Sequence, residues 1–181
     1  MCGFGEASTL DHYLPLSRYP EFSVFAMNLI PACARCNQLK GDSVGKTPAG
    51  QFLHSFFHSV PSLALLVCRV DVESGALLVT FRIRQIQRVP ADVLARMSHQ
   101  FERLQLADRF QRQALNELGD RSAAFEQSVA PGANYPALRD RLRAEAKAFG
   151  ATLGPNHWKT ALYRALRQSR EFWLGGFRNV R

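Results

Sequence analysis

Residues 28–42 read NLIPACARCNQLKGD, and this stretch decides how the N-terminal part of the chain folds. The apolar run before Cys33 has the composition of a short β-strand. The residues after Cys33 are helix formers and end at Gly41, a residue typical of helix termination. Upstream, the run TLDHYLP (residues 9–15) is also compatible with a strand. We therefore predict strand, loop, strand and short helix within residues 1–46.

Three of the four cysteines lie in this segment. Cys33 and Cys36 form a CxxC pair, the spacing at which two thiolates reach one zinc ion. A module of this size has little core and normally needs a staple such as a metal. Cys2, in the turn-like run MCGFG, is the third candidate ligand, and no fourth ligand is visible in the module. A start codon placed too late would explain the missing cysteine, and the upstream DNA would test that explanation.

The same segment carries the residue types that phosphodiester hydrolysis requires. Histidine is the usual base for activating water at neutral pH, which makes His12 the candidate base. Asp11 and Asn37 offer the hard oxygens that Mg²⁺ prefers. Asn28 can fix the loop behind His12 because a carboxamide bonds backbone groups in both directions. Neighbouring strand residues point to opposite faces, so Asp11, His12 and Asn37 converge on one cation only where the strand bends or twists.

Taken together, LDHYLPLSRYP (residues 10–20) and NLIPACARCNQLKGD resemble the HNH endonuclease motif, a ββα-metal fold. The resemblance covers residues 2–42, about a quarter of the chain. The matching positions are Asp11, His12, Pro15, Asn28, Leu29, Cys33, Cys36, Asn37 and Lys40.

The resemblance implies a role for each of these side chains. His12 would be the general base, and Asn28 would orient it. Asp11 and Asn37 would hold a catalytic Mg²⁺ or Mn²⁺ ion. Lys40 and Arg18 would contact a substrate phosphate. Cys2, Cys33 and Cys36 would hold a structural zinc ion.

Three features depart from the family pattern. Asn37 stands where many members have histidine, which favours Mg²⁺ or Mn²⁺ over a softer ion. The zinc set is one cysteine short. The loop between His12 and Asn28 lacks the glycine-rich turn that is common there.

The rest of the chain, residues 47–181, is predicted to be a β-hairpin followed by a mainly helical region. AGQFLHSFFHSV (residues 49–60) has the pattern of a short amphipathic helix, and two β-rich runs flank the turn ESGA (residues 73–76). Helices are predicted from Pro90, over residues 136–150 and over residues 155–172. VAPGANYP (residues 129–136) is predicted to be a loop.

Most of the excess positive charge lies at the C-terminal end. Residues 121–181 carry eleven Lys and Arg against four Asp and Glu, which accounts for seven of the eight surplus charges. Basic helices attract phosphate backbones through counterion release, although such helices are also common as solvated surfaces. We expect this region to bind nucleic acid non-specifically or to dock a partner protein that selects the target.

Composition restricts the compartment. The chain has 46% hydrophobic and 21% charged residues, as soluble globular proteins do. No run of eighteen apolar residues exists, so we expect no membrane-spanning helix, and the N-terminus lacks the pattern of a secretion signal. A cytoplasmic protein is expected, in which a close cysteine pair more often binds metal than forms a disulfide.

The sequence therefore predicts an α+β protein with an HNH ββα-metal nuclease module at residues 1–46 and a nucleic-acid-binding or partner-binding region at residues 47–181. The expected activity is metal-dependent hydrolysis of phosphodiester bonds, with DNA as the expected substrate and RNA as the alternative, in bacterial defence or a mobile element. The rival hypothesis is a zinc-stapled nucleic-acid-binding module with inactive nuclease residues. A protein-interaction adaptor is the third hypothesis.

Overall fold

A computed structural model of the chain describes residues 1–129 and 135–179. Helices and strands are both present, and the predicted α+β class is confirmed. The strands are β1 (Thr9–His12), β2 (Leu29–Ala32), β3 (Leu66–Glu73) and β4 (Ala76–Ile83), and the α-helices are α1 (Ala34–Lys40), α2 (Ala91–Arg103), α3 (Leu106–Val129), α4 (Tyr135–Leu153), α5 (Trp158–Leu166) and α6 (Arg170–Trp173).

The chain forms two compact units, and each is made of two separate segments. The first unit joins residues 1–61 with residues 85–106, and the second joins residues 62–84 with residues 107–181. The first unit is thus larger than the predicted 1–46 module, because segment 47–61 and helix α2 pack with it. The proposed division of function between residues 1–46 and residues 47–181 stays a prediction.

The first unit contains the predicted strand, loop, strand and short helix. Strands β1 and β2 pair antiparallel, with Asp11 opposite Ile30 and His12 opposite Leu29. Cys33 caps α1 with its side chain, which accepts a hydrogen bond from the Cys36 backbone N–H. The helix ends at Gly41, whose φ of 52° lies in the left-handed region that glycine adopts without strain.

Helix α2 is tied to the N-terminal module by side-chain hydrogen bonds. The Gln100 side chain accepts from the Leu53 backbone N–H at 3.2 Å and donates to the Met1 carbonyl at 3.2 Å. Arg96 donates to the Gln51 side chain. Two of these bonds go to segment 47–61 and the third goes to the first residue of the module.

Segment 49–60 is not the short amphipathic helix that its pattern predicted. The structure has a 3-10 turn at Pro48–Gly50 and irregular backbone beyond it. His54 and His58 bond local backbone instead: His58 Nδ1 accepts from the His54 N–H at 2.8 Å, and His54 Nδ1 accepts from the Phe56 N–H at 3.1 Å. Such bonds offer the backbone an alternative to a helix.

The second unit begins with the predicted β-hairpin. β3 and β4 pair antiparallel from Leu66 opposite Ile83 to Glu73 opposite Ala76. The two turn residues, Ser74 and Gly75, both have positive φ, the geometry that matches the right-handed twist of a tight hairpin. The prediction of two strands around ESGA is therefore confirmed.

Helices α3 to α6 complete the second unit. The predicted helix from Pro90 is two helices, because Gln105 adopts a φ of 53° that ends the first one. The predicted helix at residues 155–172 is also divided, into α5 and α6. The rings of Phe125, Phe172 and Phe177 form the aromatic part of the core, with centroids 5.7–6.3 Å apart. Most of the predicted loop at residues 129–136 lies outside the described residues.

No helix within residues 1–129 and 135–179 combines the length and the apolarity needed to cross a bilayer.

Candidate functional site

Cys2, Cys33 and Cys36 lie together at the N-terminal end of α1. Their sulfur atoms all lie within 4.8 Å of one another, and Cys2 Sγ is 3.8 Å from Cys33 Sγ. Cys2 and Cys36 are buried, and Cys33 is half-buried. The cluster could hold a metal ion, as the sequence predicted. Within the part of the chain that the structure describes, the group has these three members and no fourth histidine, cysteine or acidic residue.

The surroundings of Cys2 favour the thiolate form that a metal requires. A hydrogen bond with the Cys36 side chain, helped by backbone N–H groups, lowers the pKa of Cys2 to about 4, although burial acts in the opposite direction. One of those donors is the Gly5 N–H, 3.4 Å from Cys2 Sγ. A Cβ atom at Gly5 would lie 2.8 Å from Cys33 Cβ, so the residue at this position must be glycine for the turn to close on the thiols. The sequence prediction did not identify Gly5, although its place in the turn after Cys2 was the available signal.

His12, at the end of β1, is held by the loop that follows it. His12 Nε2 lies 2.9 Å from the Ser23 carbonyl oxygen. A carbonyl oxygen can only accept, so Nε2 carries the hydrogen, and in the neutral ring Nδ1 then bears the lone pair. Nδ1 makes no hydrogen bond with any described residue, and the side chain is half-buried. The imidazole is therefore fixed at one nitrogen and available as a base at the other.

Asn28 holds the same loop from the other side. The Asn28 side-chain oxygen accepts from the Leu14 N–H at 2.7 Å, and its amide donates to the carbonyls of Leu14 and Phe22, both at 3.1 Å. The side chain is buried. The predicted bonding of backbone groups in both directions is confirmed. Because Ser23 follows Phe22 directly, Asn28 supports the carbonyl that holds His12.

Asp11 points to the opposite face of β1 from His12, toward α1. Asp11 Oδ1 lies 3.1 Å from Lys40 Nζ, and the two side chains are 3% and 1% exposed. Lys40 also donates to the His12 carbonyl oxygen at 2.6 Å. Burial raises the pKa of Asp11, and the charge of Lys40 opposes that effect. This is a buried ion pair that joins the last turn of α1 to β1.

Asn37 contacts Thr9, which lies two residues before Asp11 on β1. Its side-chain amide donates to Thr9 Oγ1 at 3.2 Å, and Thr9 Oγ1 in turn donates to the Ala32 carbonyl at 2.9 Å. Asn37 and Lys40 are three residues apart on α1, and Thr9 and Asp11 are two apart on β1, so each helix residue faces one strand residue. The sequence patterns did not predict these pairings.

Each predicted catalytic residue bonds a different part of the module, and their convergence on one ion stays a prediction. Asp11 bonds Lys40, Asn37 bonds Thr9, and His12 bonds Ser23, so the three side chains have separate partners.

The predicted phosphate contact of Lys40 is corrected, because its ammonium group is 1% exposed and already bonded inside the module. Arg18 is exposed and makes no side-chain hydrogen bond or ion pair with a described residue, so its predicted contact with substrate stays a prediction.

Two of the predicted cation-binding oxygens make no hydrogen bond with a described residue. Asp11 Oδ2 is buried and has no hydrogen-bond partner. The Asn37 side-chain oxygen makes no hydrogen bond with a described residue. The chemistry of these donors fits Mg²⁺ or Mn²⁺. The adjacent Lys40 ammonium would repel a bound cation. The donor atoms therefore suit Mg²⁺ or Mn²⁺, but the local charge does not.

The loop from residue 13 to residue 28 also forms one wall of an apolar pocket of about 250 Å³, which the sequence prediction did not identify. Phe22 and Phe25 line it from the loop, and Phe57 and His54 line it from segment 47–61. Phe22, Phe25 and Phe57 are 37%, 51% and 65% exposed. Exposed aromatic rings in one cluster are typical of a binding surface.

Comparisons with known proteins give one distant similarity. Protein ea31 of Escherichia phage lambda is 25% identical over 185 aligned positions, which cover 96% of this chain and 62% of that protein. The chain thus spans less than two thirds of the length of this relative, whose name states no activity. No family model matches the chain, and no solved structure matches it.

Proposed function

We propose that the chain is a metal-dependent endonuclease that hydrolyses phosphodiester bonds of DNA, with His12 as the general base. The observation that carries this proposal is the hydrogen bond from His12 Nε2 to the Ser23 carbonyl. It selects the tautomer with a free lone pair on Nδ1 and holds the ring in one orientation. A positioned base of this kind accelerates proton transfer by about 10²–10⁴-fold.

In this mechanism His12 Nδ1 takes a proton from the water whose oxygen bonds to phosphorus, while the Ser23 carbonyl stabilises the ring that becomes charged. The bond from phosphorus to the 3′ oxygen breaks, and the departing 3′ oxygen takes up a proton from solvent. Asn28 keeps the loop closed, so that the carbonyl stays in place. A bound Mg²⁺ or Mn²⁺ ion would neutralise charge on the phosphate, and Asp11 and Asn37 carry the oxygens that would hold it. Arg18, an exposed cation six residues after His12, is the side chain that would contact the phosphate.

We also propose that the cysteine cluster holds a zinc ion in a structural role. Tetrahedral zinc with bonds of 2.3 Å to sulfur places its ligands roughly 3.8 Å apart. The Cys2–Cys33 sulfur distance of 3.8 Å agrees with that value. The cluster lies at the first turn of α1, where a bound ion would fix Cys2 and its turn to the helix.

A nucleic-acid-binding module without cleavage is the second candidate function, and one observation favours it. The Asp11 carboxylate is already paired with Lys40 in the core. A carboxylate that is already paired with a buried ammonium group has its charge balanced without a catalytic metal. The similarity to a phage protein supports a mobile-element setting for either function.

A plasmid-nicking assay with added Mg²⁺ or Mn²⁺ separates the two functions. The proposal predicts cleavage by the wild-type chain and a loss of about 10²–10⁴-fold in His12→Ala. His157→Ala is the matched control, since His157 caps α5 in the other unit. Equal cleavage by His12→Ala would refute the base assignment. DNA binding without cleavage under either metal would establish the binding module instead.

A further inference from the structure

The arginines of the basic C-terminal region differ in what they contact. Several are used inside the second unit. Arg121 pairs with Glu117 and Glu145, and Arg178 pairs with Glu126 at 2.7 Å. Arg164 donates to the carbonyls of Leu66 and Pro155. These cations are already neutralised or bonded, so the charge count of residues 121–181 overstates what an external anion would meet.

Helix α4 places its charges on two different flanks. Its core stripe is Leu138, Leu142 and Ala146, which are buried. On one flank Arg141 pairs with Glu145 at 3.2 Å and donates to the Ser128 side chain of α3 at 2.7 Å. That flank serves the contact between α3 and α4.

The other flank of α4 carries Arg139, Arg143 and Lys147, spaced four residues apart. All three are exposed. Arg143 and Lys147 make no hydrogen bond or ion pair with a described residue. Arg139 pairs with its exposed neighbour Asp140 at 3.2 Å and lies 6.0 Å from the centre of the Trp173 ring, and its side chain is still 50% exposed. Asp140 is the one acidic residue on the exposed side of α4, where Ala144 and Ala148 leave close access to the helix.

We propose that Arg139, Arg143 and Lys147 form a stripe that binds the phosphate backbone of a nucleic acid. Residues four apart on a helix are separated by roughly 6 Å along its axis, so the stripe extends over roughly 12 Å. Phosphates of one DNA strand follow one another at about 3.4 Å along the duplex axis, which places about three or four of them within that length. This inference rests on the proposed function, because the stripe would hold the DNA that the chain is proposed to cleave.

The stripe is tested by binding in the absence of metal, so that hydrolysis is not involved. The probe is a short fluorescein-labelled DNA duplex in EDTA, with fluorescence anisotropy measured between about 50 and 200 mM salt. The variant is Arg143→Gln combined with Lys147→Gln in the full chain. The matched control is Arg82→Gln combined with Arg84→Gln, which removes the same charge from two exposed arginines at the end of β4 in the same unit.

The proposal predicts that the Arg143 and Lys147 variant binds about tenfold or more weakly than the control at about 100 mM salt. Its log–log salt slope should be smaller in magnitude by about 1.8, because each phosphate contact contributes about 0.9. Equal weakening by the two variants would overturn the stripe, and so would a wild-type chain that does not bind the duplex. Binding to anionic lipid vesicles that needs the stripe, without binding to DNA, would also overturn it.

The outcome is separable from that of the nicking assay. Cleavage with no effect of the stripe variant would place the nucleic acid on another surface and leave the nuclease proposal intact. An effect on binding without any cleavage would support the stripe on a binding module.

Discussion

At the N-terminal end of helix α1, Cys33 and Cys36 join Cys2 in a cluster of three thiols, whereas at the C-terminal end Lys40 forms a buried ion pair with Asp11. The thiol cluster contains no cationic side chain, so only a bound metal ion could balance the charge of its thiolates. The second group already contains its cation, the lysine ammonium. One short helix thus carries two differently built groups: three thiols that could hold a metal ion, and a lysine that already balances the charge of a carboxylate.

The largest effect is expected from loss of the thiol cluster. Cys36→Ser should lower zinc content from about one per chain to less than half, and the first unit should lose its folded structure, because structural zinc contributes about 10–16 kcal/mol to such modules. Atomic emission and thermal unfolding measure the two quantities. Cys68→Ser is the control, since Cys68 lies in β3 of the other unit and should leave zinc unchanged. Full zinc content in Cys36→Ser would contradict the assignment of the thiol cluster as the zinc site.

The ion pair should give the next largest effect. Asp11→Leu leaves the Lys40 ammonium buried without a partner, which costs about 3–5 kcal/mol of unfolding free energy. Combining Asp11→Leu with Lys40→Met should restore most of that loss, because two apolar side chains replace a buried pair at little cost. Chemical denaturation of zinc-loaded protein measures the cycle. Additive losses in the double variant would mean that the two residues are not coupled.

The same pair sets a pH dependence. Burial raises the pKa of Asp11, so the folded state favours the protonated acid. Its contribution to stability is therefore greatest below the unfolded pKa and is lost as pH rises through the raised folded pKa. In Lys40→Met the total loss should be larger and should continue to higher pH, because the lysine charge no longer opposes the rise in the pKa of Asp11. A stability profile of Lys40→Met that does not fall with rising pH would contradict the assignment.

Removal of the Asn28 side chain should have a smaller effect on stability. Asn28→Ala leaves the half-buried Leu14 N–H and the Phe22 carbonyl without their partner, at a cost of about 1–3 kcal/mol. Asn28→Asp keeps the acceptor for Leu14 and loses both donated bonds, so its loss should be intermediate. Thermal unfolding measures both. The cleavage rate of the folded protein should also fall, because the same loop holds His12.

The smallest effect concerns acid release of the metal. The pKa of Cys2 is lowered to about 4, so protons compete weakly for its sulfur above that pH. A depressed thiol pKa gives stability that is lost as pH falls through it, so zinc should be retained at pH values well above 4 and released near that value. Dialysis over this range followed by metal analysis checks the point. Half-release near neutral pH would contradict the low pKa of Cys2.

The parts of the molecule that follow from short-range patterns could be predicted. The order β1, β2, α1 follows from composition, from Gly41 and from the CxxC spacing. The thiol cluster follows because Cys33 and Cys36 are one turn apart on α1. The β3–β4 hairpin follows from ESGA, whose serine and glycine adopt the positive φ angles of a tight turn.

The parts that depend on partners across elements could not be predicted. Spacing shows that Asn37 and Lys40 share a face of α1, but not which strand residue each one meets. The contacts of Thr9 with Asn37 and of Asp11 with Lys40 depend on the position of α1 relative to β1. For the same reason the attachment of α2 to the N-terminal module through Gln100 had no signal in the sequence.

The central claim is that His12 acts as the base in phosphodiester hydrolysis, and rescue by imidazole tests it most directly. His12→Gly removes the side chain and leaves space for a small base beside the Ser23 carbonyl. Single-turnover cleavage of DNA in Mg²⁺ should be lost in His12→Gly and restored in part by added imidazole, which should not accelerate the wild-type chain. Cleavage by His12→Gly at the wild-type rate without imidazole, or no cleavage by the wild-type chain, would contradict the account.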